Sequence, residues 1–124
     1  MIFFRKRRRA IAAGVRVRLG GGDVIADEFA NFFGVESRGK GQVRGNGHLA
    51  ASSDEIVFVM WVPRRELAIP RDRVTAVERT RSHLGKSVGR ELLCVRFTND
   101  AGEPDSAAWL VRDLAAWEAA LRPA

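Results

Sequence analysis

The stretch His48–Glu78, HLAASSDEIVFVMWVPRRELAIPRDRVTAVE, decides the fold. It holds short apolar runs divided by turn chemistry, and no helical period spans it. Ser52-Ser53-Asp54-Glu55 favours a local turn over ladder pairing. Glu55–Val62 follows, rich in β-branched and aromatic residues and too short for a typical helix. Pro63 ends it, because proline has no N–H for a ladder. Glu66–Ile69 is a second strand, closed by Pro70-Arg71-Asp72-Arg73, and Val74–Arg79 is a third. The pattern predicts an antiparallel meander.

Working outward, Glu91–Thr98 alternates with Leu93, Val95 and Phe97 on one face, and Ser106–Val111 reads as a last strand. Asp113 then caps a short helix whose stripe is Leu114, Trp117 and Leu121, and Pro123 ends it. Upstream, Gln42–Ser52 reads as a strand entered from the glycine-rich loop Ser37–Gly47, where Asn46-Gly47 has the chemistry of a hairpin turn. Asp23–Gly34 supports two readings. Ile25, Phe29, Phe32 and Phe33 form a helical stripe with Asp23 as cap and Gly34 past the end. The strand count instead favours a strand over Phe29–Glu36.

Seven antiparallel strands and a C-terminal helix predict a mainly β fold, a bent seven-stranded sheet or barrel closed by that helix. Gly47-His48-Leu49 before a turn, Glu55–Phe58 after it, Leu67-Ala68-Ile69-Pro70 leading into Val74, and the helical Trp117 resemble the pleckstrin-homology-like superfamily in its GRAM and bacterial variants. The resemblance covers roughly residues 29–121 and implies a binding module for lipid, peptide or assembly partners. Function does not follow from such a fold alone.

The 124 residues suit one domain, and the single cysteine excludes an internal disulfide. The formal charge of +6 is unevenly placed. Arg5, Lys6, Arg7, Arg8, Arg9, Arg16 and Arg18 give residues 1–20 a charge of +7 with no acid, and the rest carries fourteen basic and fifteen acidic side chains, or −1. Residues 1–22 therefore read as a basic arm with the glycine hinge Gly20-Gly21-Gly22, and 23–124 as the domain. The apolar run after the arginines is too short and too interrupted for a signal peptide. No run approaches the roughly 18–20 apolar residues of a membrane span. A cytoplasmic protein, in part peripheral at the inner membrane face, is expected.

Catalytic constellations are sparse. Tyrosine is absent, there are two histidines, and Cys94 lies in the apolar run LLCV. No catalytic residue, metal site or cofactor is expected; Gly39-Lys40-Gly41 does not continue as a phosphate-binding loop requires. Arg38, Lys40, Arg44, Lys86 and Arg90 sit in glycine-containing loops and are candidate head-group contacts, against a bland reading as solvated loop residues. Val57, Val59 and Trp61 would form an apolar outer face. An open antiparallel face is normally polar, so either the N-terminal segment or a partner, including a second copy, should cover it.

Two functions follow as expectations. One is recruitment to anionic membrane lipid, with the arm on the surface and Ile2, Phe3 and Phe4 wedged into it. The other is a protein-interaction scaffold working through the outer face. Non-specific nucleic-acid binding by the arm is third, weakened by the neutral body.

Overall fold

The computed structural model describes residues 11, 14–15, 25–39, 41–42 and 44–122. Seven strands form one antiparallel sheet: β1 (Ile25–Val35), β2 (Gly45–Ala51), β3 (Glu55–Met60), β4 (Arg65–Pro70), β5 (Val74–Thr80), β6 (Leu92–Thr98) and β7 (Pro104–Leu110). One helix, α1 (Leu114–Leu121), follows. The strand order is β4-β3-β2-β1-β7-β6-β5. The mainly β expectation holds, with one correction: β4 and β5 are the two edges and do not pair, so the sheet is not closed into a barrel.

The turns form as their chemistry dictates. Ser52 Oγ accepts from the Asp54 and Glu55 amides at 3.1 and 3.2 Å, and fixes the β2–β3 turn. Arg71 clips three segments together. Its amide donates to Asp54 O, and its guanidinium donates to Ser52 O and to Ala120 O at the end of α1. Asn46 and Gly47 form no turn; both lie inside β2. Gly47 is required there, since a Cβ would stand 2.3 Å from Val59 O.

The helical reading of 23–34 is overturned from Ile25 onward, while Asp23 lies outside the described residues. β1 is an eleven-residue strand with register shifts between Asp27 and Ala30 and between Phe32 and Gly34. Each bulge moves the inward face by one residue. Ile25 packs on the core, as do Ala30 and Phe32, and after the second bulge Val35 does. Gly34 takes a φ of +112° at that second shift, which glycine accepts without strain.

The inner face carries the main core. Phe32, Phe58 and Trp109 meet with ring centroids 5.0–5.9 Å apart. Leu49, Met60, Leu93 and Val95 surround them, and α1 covers them with Trp117 and Leu121, which are 1% and 2% exposed. Asp113 accepts from Ala116 N at 3.1 Å and caps the helix as expected.

The β1–β7 seam is fastened at both ends. At one end the buried Asp27 carboxylate accepts from Phe29 N, Arg112 N and Arg112 Nε at 2.8–2.9 Å. At the other, Asp105 accepts from Ser37 N and Oγ, and Ser106 Oγ donates to Glu36. Burial pushes the Asp105 carboxyl up, but the bonds from Ser37, Asn99 and Ser106 outweigh it and hold it below the usual carboxylate range.

Candidate anion-binding surface

The outer face of the sheet is apolar at two separate places. Ala50, Val57 and Val59 lie beneath Ile11 and Val15, which are helical residues of the stretch read as the basic arm, with Trp61 packed beside them. Val57 and Val59 are 2% and 4% exposed, so they are buried by the chain's own N-terminal residues rather than presented to a partner. Phe33, Leu92 and Ala108 form the second patch, with Val88 and Leu110 packed against it.

Between and beside these patches lies a cleft of about 360 Å³, lined by Phe29, Asn31, Arg44, Asn46, Arg90, Leu110, Val111 and Arg112. Three loops supply its arginines. Arg44 enters from the β1–β2 loop, Arg90 from the β5–β6 loop, and Arg112 from the link into α1. Arg44 lies over the Phe33 ring at 4.3 Å and donates from Nε to Asn31 Oδ1 at 3.1 Å. Asn31 in turn donates to Asn46 Oδ1 at 2.9 Å. Arg112 lies over the Phe29 ring at 5.0 Å and donates from Nε to Asp27. Phe29 meets Trp61 edge-on at 5.5 Å. Two guanidiniums are thus each stacked on a ring and anchored through Nε, a pre-set fork rather than a loose charge.

The candidate loop cations divide between sites. Arg44 and Arg90 come together in this cleft, while Lys86 donates to Phe33 O at 3.4 Å nearby. Arg38 lies elsewhere, lining a cleft of about 350 Å³ with Phe32, Gly41, Gln42 and Arg65. It also borders a second cleft with Arg73, Asp100 and Asp105. Gln42 shapes that end of the sheet: its amide exchanges bonds with Val35 N and O at 2.8 and 2.7 Å, replacing a missing strand partner. Lys40, Arg5, Lys6, Arg7, Arg8, Arg9, Arg16 and Arg18 lie outside the described residues. Arg112 and Arg65 escaped the sequence reading, because neither sits in a glycine-rich loop and only the β1–β7 and β3–β4 pairings bring them near the others.

The remaining reactive side chains are enclosed. Burial pushes the Cys94 thiol up, which disfavours the nucleophilic thiolate. Burial likewise lowers His83, offset in part by its Nε2 contact with Gly34 O at 3.0 Å. Among the described residues no group of three His, Cys, Asp or Glu side chains is placed to hold a metal ion. None of their helices is long and apolar enough to cross a membrane.

No family model matches this chain, and no curated protein does. Among solved structures, a chain of "The 8S snRNP Assembly Intermediate" superposes with a TM-score of 0.59 over 83% of this chain and 86% of that one. The two sequences are 12% identical. The likeness is one of fold.

Proposed function

We propose that this chain is a non-enzymatic, pleckstrin-homology-like module recruited to anionic membrane surfaces through the outer face of its sheet. The observation that carries the reading is the sharing of that face. Ile11 and Val15, which stand among the arm's cations in the sequence, pack with Trp61. Trp61 touches Phe29, and Phe29 borders the arginine cleft. Phe29, 40% exposed, is a large apolar side chain beside these cations. Five adjacent cations at a leaflet are worth about 5 kcal/mol before ordering costs, enough for reversible recruitment.

The test is co-sedimentation of the full chain with anionic vesicles, neutral vesicles and duplex DNA, at low and high salt. Arg5, Lys6, Arg7, Arg8 and Arg9 are replaced by glutamine in the partner variant, since deleting the arm would also uncover Val57 and Val59. Binding to anionic vesicles that collapses in the glutamine variant and in salt supports the reading, because screening shortens to about 3 Å at 1 M. Equal sedimentation with neutral vesicles sinks it, and preference for DNA would transfer the arm to nucleic acid. A second reading, a protein-interaction adaptor, draws on the fold shared with a chain from an assembly intermediate. A chain that ignores every vesicle and DNA would favour it.

A further inference from the structure

We propose that Arg44, Arg90 and Arg112 form a binding site for a phosphate-bearing anion. The inference rests on the anion-binding reading of this face and names its ligand chemistry. Among the described residues three guanidiniums line one cleft, and no carboxylate lines it with them. Asp27, bonded to Arg112, offsets one charge from below, so the cleft keeps an excess of two. Of the clefts that Arg38 lines, one sets Arg38 and Arg73 against Asp100 and Asp105 so that the charges balance, and the other holds Arg38 and Arg65 with no third cation among the described residues.

Donors are also available in this cleft. Arg44 and Arg112 spend Nε on Asn31 and Asp27, and among the described residues their terminal nitrogens have no hydrogen-bond or ion-pair partner. Arg90 has no such partner among them either. Fixed planar forks with paired N–H groups match the oxygens of a phosphate or carboxylate, and three cations around one cleft favour the more highly charged phosphate. The volume exceeds what a bare ion fills, and Phe29 and Leu110 give the lining an apolar part. A phosphate ester carrying a small organic body therefore fits better than free phosphate. Such an ester is either a soluble metabolite or a lipid head group.

Nitrogen-15 NMR of the full chain tests this with inorganic phosphate, with glycerol 3-phosphate, and with vesicles containing phosphatidic acid against phosphatidylcholine alone. The expected result is saturable shifts of the Arg44 and Arg112 Nε–H signals, with glycerol 3-phosphate tighter than phosphate. The R44Q/R90Q double variant should weaken binding about tenfold or more, whereas R38Q/R65Q should leave it unchanged. Both pairs are exposed, and matching melting curves confirm that each variant folds. Soluble ester binding without vesicle binding assigns a metabolite; vesicle binding lost in R44Q/R90Q assigns a lipid. Vesicle binding that R44Q/R90Q leaves intact, with no saturable response to either soluble anion, overturns the site while leaving recruitment by the arm standing.

Discussion

The two faces of the sheet are built from the same strands yet finished differently. Along β3, Ile56, Phe58 and Met60 enter one continuous core that α1 seals, while Val57 and Val59 enter a small cluster under Ile11 and Val15. Both sets are almost fully buried. The inner cover is a capped helix clipped to the sheet by Arg71 and by the Arg79–Glu118 ion pair. Among the described residues the outer cover contributes Ile11 and Val15, from a stretch dense in like charge. Similar burial is thus reached by different covers, and the outer one lies on the face where Arg44, Arg90 and Arg112 gather.

The largest effect should come from the inner cover. Trp117→Ala should lower stability by about 3–5 kcal/mol, read as a fall in the thermal midpoint; an unchanged melt would mean that α1 does not seal the core. Replacing Ile11 and Val15 together by alanine should cost less, because the cover can undock while the sheet stays folded. Acrylamide quenching of Trp61 should rise in that variant. A loss equal to that of Trp117→Ala would make the two covers equivalent.

Acid should loosen the Asp105 end of the β1–β7 seam in two smaller steps. His83 is held below its ordinary value near 6.5, so the unfolded chain takes up its proton first, and stability begins to fall as pH drops through that value. Asp105 is held below 3.8, so its contribution is present above that value and is lost as pH falls through the lower, folded one. Denaturant midpoints against pH should show both, with His83→Asn removing the upper step and Asp105→Asn the lower. The smallest change is Gly14→Ala. Gly14 is helical and exposed, and a Cβ there meets nothing within 4 Å, so alanine should stabilise the outer cover by up to about 1 kcal/mol. A loss of stability would show that the cover needs a bare backbone there.

Much of this architecture is legible in the sequence because turns punctuate it. Ser52–Glu55, Pro63 and Pro70 divide the chain so that β3 to β5 fall within a residue or two of their expected ends, while β2 starts three residues later than expected. β1 was less legible because its two bulges move the inward face off a strict alternation, so the apolar spacing imitates a helical stripe. Ile11 and Val15 have the spacing of one helix face, but surrounding arginines disguise it as part of a charged arm. The arginine cleft was legible by half: Arg44 and Arg90 stand out in their loops, whereas Arg112 acquires its place only when β7 pairs with β1.

That pairing also governs how the chain finds its shape. β1 to β4 and β5 to β7 are two meanders of near neighbours, each able to form through short loop closures, but Asn31 faces Leu110 across most of the chain. Closing so long a loop costs entropy before any contact returns it. The seam is therefore the natural rate-limiting event. Until it forms, Phe32 and Trp109 have not met, α1 has only half a core to cover, and an arginine-lined cleft does not yet exist.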